Sequence, residues 1–212
     1  MSREIKTIGE FKLEWSSLHG GVKTKGIVGG WLVISFYLAR GLKKIGVSAN
    51  QLTYFGVVLA ALSAISSPHW WSAIFLALSL LGDGVDGSLA ILGNKSSALG
   101  AVYDSVADRL SEALWALVFY RLGAPLTWVV IFWTLASVQE YARARLGAEG
   151  VHEVGVITPA ERPMRASFLC LAIVAWQFSF SHDWVFALIF LVTVLQGLSL
   201  AMILNFAFRK LK

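Results

Sequence analysis

The sequence predicts an all-α integral membrane protein: six transmembrane helices preceded by an N-terminal interfacial amphipathic helix. Three observations predict it. Of the 212 residues, 57% are hydrophobic and only 15% charged, whereas a soluble domain carries about 25% charged residues. Apolar stretches of about 20 residues, the length that crosses hydrocarbon, recur six times, over 49–67, 70–92, 98–120, 125–145, 163–181 and 184–207. Positive charge is also asymmetric. With six spans and the N-terminus inside, the inner side holds eight Lys and Arg up to Lys44, then Lys95, Arg143, Arg145, Arg162, Arg165, Arg209, Lys210 and Lys212. Arg121 alone falls outside, and Arg109 lies within the third span. This asymmetry predicts cytoplasmic termini and a multi-pass protein of the cell membrane. It excludes nucleic acid as a partner, because the net charge of +5 follows membrane topology and forms no soluble basic face.

Residues 1–25 are polar, with Phe11, Leu13 and Trp15 among Lys6, Lys12, Lys23 and Lys25. They read as a cytoplasmic tail adsorbed on anionic lipid. GIVGGWLVISFYLARGLKKIG stays apolar for about 14 residues before Arg40, Lys43 and Lys44, too short to span, and reads as the interfacial helix. Residues 1–47 are therefore the cytoplasmic N-terminal segment, and 48–212 the six-helix transmembrane domain. Ser48 or Asn50 in SANQLT caps the first span. Ser66-Ser67-Pro68-His69 makes a short outer turn, and Trp70 and Trp71 mark the outer interface. In the loop after the fourth span, Pro159 and Pro163 are punctuation, and His152 and Glu153 are solvated. The last two spans read as scaffold, with Gln196 and Asn205 hydrogen-bonding across helices. Cys170, the only cysteine, packs in an apolar run.

One stretch, GDGVDGSLAILGNKSSALGAVYDSVAD over 82–108, puts Asp83, Asp86, Asp104 and Asp108 in apolar surroundings. Helical periodicity gives Asp83 and Asp86 one face and Asp104 and Asp108 another. An antiparallel return through a short loop brings all four to the same cytoplasmic depth. Carboxylates packed away from water need compensation, and an oxygen-only set suits hard divalent ions such as Mg²⁺ or Mn²⁺. Gly82, Gly84 and Gly87 permit close approach of another helix or a ligand. The letters GDGVDG match a dinucleotide fingerprint, but no strand precedes them and two carboxylates would repel pyrophosphate. Asn94-Lys95-Ser96 is a formal glycosylation sequon in a cytoplasmic turn. Arg143 and Arg145 lie at the cytoplasmic boundary of the fourth span, and Arg162 and Arg165 beyond the loop point back toward the acidic stretch; as a group they suggest phosphate binding.

Asp83-x2-Asp86-Gly87-x2-Ala90, then Gly100-x3-Asp104-x3-Asp108, resembles the D-x2-D-G-x2-A-R-x8-G-x3-D-x3-D signature of the CDP-alcohol phosphotransferases. Ile91 stands where that family usually has Arg. The resemblance implies transfer of a phosphatidyl group from CDP-diacylglycerol to a polar alcohol, with release of CMP. It implies two Mg²⁺ or Mn²⁺ ions on Asp83, Asp86, Asp104 and Asp108, with Asp108 accepting the proton of the attacking hydroxyl. It further implies a CDP-lipid pocket at Gly87, Ala90, Asn50, Thr53 and Gly100, and a homodimer. Tyr141-x-Arg143-x-Arg145 and Glu161-Arg162-Pro163-x-Arg165 look like the actinobacterial phosphatidylinositol-phosphate synthases, which makes inositol phosphate the expected acceptor and Arg143, Arg145, Arg162 and Arg165 its phosphate ligands. In that subfamily an Arg follows the Gln on the last helix, and here Gly197 follows Gln196. Phosphatidylglycerophosphate synthesis is the alternative. A cation transporter using the buried acids is more remote, because the acids gather at one membrane face instead of along a path.

Overall fold

The computed structural model describes residues 5, 7–18, 21, 23–93, 97–151, 157–178 and 182–212. Lys6, Lys95, the sequon at 94–96, His152 and Glu153 lie outside the described residues. Among these residues the chain forms eight α-helices and no strand: α1 (Ile8–Leu18), α2 (Gly26–Lys44), α3 (Ala49–Ser66), α4 (Trp71–Leu92), α5 (Ala98–Arg121), α6 (Leu126–Ala148), α7 (Arg162–Gln177) and α8 (His182–Leu211). The six predicted spans correspond to α3 through α8, with the largest differences at the C-terminal ends of α6, α7 and α8. Three of them, α3, α4 and α8 from Asp183, are long and apolar enough to cross a membrane by length and composition. Helices α5 and α6 have 24 and 23 residues, about 35 Å at 1.5 Å per residue, but both carry several charged side chains. α7 has 16 residues.

The helix starts follow local chemistry. At α3, Ser48 and Gln51 form a reciprocal capping box: the Gln51 N–H donates to Ser48 Oγ at 3.3 Å and the Ser48 N–H to Gln51 Oε1 at 2.9 Å. Ser48, one of the two caps the sequence allowed, is therefore the one used. Thr7 and Glu10 repeat the device at α1, with both bonds at 3.2 Å, so part of the expected tail is an ordered helix. At α5 the Gly100 N–H donates to Ser97 Oγ at 3.0 Å. The C-terminal carbonyl of Leu92 on α4 accepts from Lys43 Nζ at 2.5 Å, a cation at the negative helix end.

The chain divides into two compact units, residues 1–57 with 79–108, and residues 58–78 with 109–212. In the first, α2 buries Gly29, Leu32, Phe36 and Ala39 at the three- and four-residue spacing of one helix face. Leu32, Phe36 and Ala39 pack with Phe11 of α1 and with Val85, Leu89, Ile91 and Leu92 of α4, and the Phe11 and Phe36 rings lie 5.4 Å apart. Ser79 Oγ donates to the Gly56 carbonyl at 2.7 Å. The second unit packs α6 and α7 against α8 around Trp115, Phe119, Phe132, Leu169, Ile173 and Ile189, all fully buried. Polar ties run across it: Ser63 with Ser72, Arg121 to the Ser67 carbonyl, and the Ala160 N–H to Ser199 Oγ at 3.0 Å. Gln196 is fully buried, and with its amide turned to suit its neighbours the nitrogen donates to the Phe132 carbonyl and the oxygen accepts from the Ala136 N–H, both at 3.1 Å. Asn205 is exposed.

Candidate active site

In the first unit a cavity of about 380 Å³ opens against the acidic stretch of α4. Its walls include Asn50 and Thr53 of α3, Asp83, Asp86, Gly87 and Ala90 of α4, and Gly100 and Asp104 of α5. Thus the structure gathers every CDP-lipid-pocket residue named from the sequence around one cavity. A Cβ at Gly87 would meet no atom within 4 Å, so this glycine faces open space. Gly100 is tighter: a Cβ there would lie 3.1 Å from Ser97 Oγ and 3.9 Å from Asn50 Oδ1.

The carboxylates of Asp83, Asp104 and Asp108 each offer an oxygen, and these oxygens all lie within 4.8 Å of one another. Three negative charges at that spacing repel by about 3.5 kcal/mol per pair at an effective dielectric of 20. A hard cation removes that repulsion, and three carboxylates suit one. Asp86 takes another partner. It lies about 60° around the helix from Asp83, is buried, and accepts the Thr53 hydroxyl at 2.5 Å. The grouping is therefore one carboxylate from α4 with two from α5, in place of two pairs, and Asp86 is turned toward α3. Ile91 is buried in the apolar cluster of α1, α2 and α4 and also lines the cavity, so its methylene surface fills the position where a cation was expected.

The arginines belong to the second unit. Arg143 on α6 grips Glu161 with both terminal nitrogens, at 2.8 and 2.5 Å, and lies 3.5 Å from Glu140. The Thr158 N–H and hydroxyl also donate to Glu161, at 2.8 and 2.7 Å. Burial pushes the Glu161 carboxyl up, but the bonds from Arg143 and Thr158 together outweigh it and hold it at about 2. Arg165, fully buried, donates to Glu112, to the Ala160 carbonyl at 2.8 Å and to Glu140 at 3.4 Å. Arg109 holds the second oxygen of Glu112 at 2.5 Å. Arg162 lies over the Trp115 ring, 5.2 Å from its centre, and Arg145 pairs with exposed Glu149.

Sequence reasoning passed over the acidic partners. Glu112 stands three residues after Arg109, a spacing that pairs side chains on a helix, and a charged pair inside an apolar span was the available signal. Trp15, Leu18, Trp31 and Ser97 also line the cavity. No spacing rule connects α1 or α2 to the acidic stretch, and of the three glycines read as permitting close approach it is Gly84 that meets Trp31 of α2.

The comparisons with known proteins bear on the same residues. A family model, CDP-alcohol phosphatidyltransferase, matches residues 46–196. An archaetidylinositol phosphate synthase of Pyrococcus horikoshii is 32% identical over 133 residues, covering 59% of this chain and 70% of the relative. The fold resembles that of Mycobacterium tuberculosis phosphatidylinositol phosphate synthase solved with CDP-DAG bound, with a TM-score of 0.69 at 23% identity, covering 82% of this chain and 92% of that one. The same enzyme in complex with manganese and citrate also matches at 0.69, with 22% identity over 82% and 88% of the two chains. The match spans the whole acidic signature from Asp83 to Asp108 and the cavity walls supplied by α3, α4 and α5, and with it the chain belongs to the CDP-alcohol phosphatidyltransferase family.

Proposed function

We propose that this membrane enzyme transfers the phosphatidyl group of CDP-diacylglycerol to the hydroxyl of inositol phosphate and releases CMP. The observation that carries the reading is the group of Asp83, Asp104 and Asp108 within 4.8 Å beside a cavity lined by Asp86, Asn50, Thr53, Gly87, Ala90 and Gly100. Relatives named for inositol phosphate products support the acceptor.

Asp83, Asp86, Asp104 and Asp108 would hold two divalent ions, Mg²⁺ or Mn²⁺. When bound, such ions neutralise a diphosphate and the charge that develops on its leaving oxygen. The chain's own residues supply the rest. Thr53 fixes the Asp86 carboxylate through its hydroxyl. Gly87, with open space in place of a side chain, and the small Ala90 leave room for the nucleotide, and Asn50 offers an amide to it. Asp108 takes the proton of the attacking hydroxyl, which makes that oxygen a nucleophile at neutral pH. Arg143, Arg145, Arg162 and Arg165 are assigned to the phosphate of the acceptor, where paired N–H donors suit phosphate oxygens. The reading includes six spans, α3 to α8, behind an interfacial α2, with residues 1–47 forming a cytoplasmic segment, residues 48–212 the catalytic domain and the site facing the cytoplasm.

The test is CMP release from CDP-diacylglycerol by protein in detergent, with inositol phosphate, glycerol 3-phosphate, free inositol and serine offered separately. Release is expected with inositol phosphate, lost on addition of EDTA and restored by Mg²⁺ or Mn²⁺. Release with glycerol 3-phosphate alone would move the assignment to phosphatidylglycerophosphate synthesis.

A further inference from the structure

The cavity has a wall that its acidic chemistry does not use. Trp15 and Leu18 of α1 and Trp31 of α2 line it together with Asp83, Asp86 and Asp104, so two indoles from outside the α3–α5 helices share a chamber with the carboxylates. Trp31 is built into position. A Cβ at Gly84, between Asp83 and Asp86, would lie 2.5 Å from Cζ2 of Trp31, 3.3 Å from Cη2 and 3.4 Å from Cε2. Only glycine lets the indole rest on the α4 backbone at this depth, and Trp31 as a whole residue stays 36% exposed.

We propose that Trp31, seated on Gly84 and joined by Trp15, forms an aromatic platform on which the cytosine base of the donor stacks. The inference rests on the reading that the cavity takes a CDP-linked lipid. In such a donor the diphosphate belongs with the carboxylates, and the groups that continue from it are ribose and base in one direction, glycerol and acyl chains in the other. Asn50 and Thr53 line the same cavity. The Asn50 amide, with the acceptor capacity that Thr53 Oγ1 keeps after donating to Asp86, suits the polar edge of a base and would be poorly placed against hydrocarbon. An indole face offers a base the stacking partner it finds in single-stranded nucleic-acid sites.

CMP separates the two directions, because it carries the base and no lipid. The experiment measures inhibition of transfer by CMP and KM for CDP-diacylglycerol in wild type, Trp31→Ala, Trp31→Phe and Gly84→Ala, with a thermal melt of each in detergent. Trp31→Ala is expected to raise the inhibition constant for CMP and the donor KM alike by about ten-fold, the scale of one base–aromatic stack. Trp31→Phe should keep most of the affinity. Gly84→Ala should move both constants in the direction of Trp31→Ala by pushing the ring from its seat, and it reports on the platform even where loss of the indole unfolds α2. An inhibition constant for CMP unchanged in Trp31→Ala and Gly84→Ala overturns the proposal, and a raised donor KM beside it would put the indole against glycerol or acyl chains. Wild-type activity indifferent to both CMP and CDP-diacylglycerol would instead overturn the reading of the cavity itself.

Discussion

Asp108 and Glu161 are both carboxylates in an apolar chain, and their surroundings give them opposite duties. Asp108 shares its site with two other acids within 4.8 Å, an arrangement that suits a hard cation. Asp108→Asn keeps the shape and removes the proton acceptor that the proposed function assigns, so CMP release is expected to fall by about 10²- to 10⁴-fold, measured alongside a melt that reports folding. Glu161 is surrounded by donors and held at about 2, below the 4.5 of an ordinary glutamate carboxyl. A group whose folded value is depressed stabilises the fold above its unfolded value, and that contribution is lost as pH falls toward the folded one. Wild type should therefore melt above Glu161→Gln at neutral pH, with the gap closing between about pH 4.5 and about pH 2, as followed by melts across that range. Helical spacing located the acidic positions but not their grouping, in which Asp83 joins Asp104 and Asp108 while Asp86 takes the Thr53 hydroxyl. Of the partners of Glu161, Thr158 stands three residues before it at the spacing of a capping box, whereas Arg143 comes from α6, and spacing does not tell which arginine meets which acid.

Helix boundaries were the most readable level. The starts of α3, α4, α5 and α6 lie within one residue of the apolar stretches read from the sequence, and Ser48 was recognised as a cap. Ser48→Ala removes the acceptor for the Gln51 N–H and is expected to cost about 0.5–2 kcal/mol, seen as a lower melting temperature with the KM for acceptor unchanged. Helix α1 was missed as a helix although Thr7-Ile8-Gly9-Glu10 has the spacing of a capping box and uses it. Short helices are marginal on local signals alone. What secures α1 is Phe11, fully buried against Phe36 of α2, a contact between segments that periodicity does not report.

At the scale of the whole molecule, composition and charge asymmetry carried the class, and the helices agree with it: large apolar side chains such as Ile65, Leu110, Leu171 and Leu204 remain exposed along α3, α5, α7 and α8, as suits a surface solvated by lipid. Polar groups are held inside instead, and the pair of Glu112 with Arg165, both fully buried, ties α5 to a residue 53 positions later. A chain emerges from the ribosome N-terminus first, so α5 is complete well before Arg165 has been made. With α5 as one of the proposed spans, Arg109, three residues back, would during that interval attend a carboxylate that hydrocarbon receives poorly. The arrival of α7 is then the event that lets α5 settle, and a nascent chain arrested between the two would be a natural client of the membrane insertion machinery and its quality control.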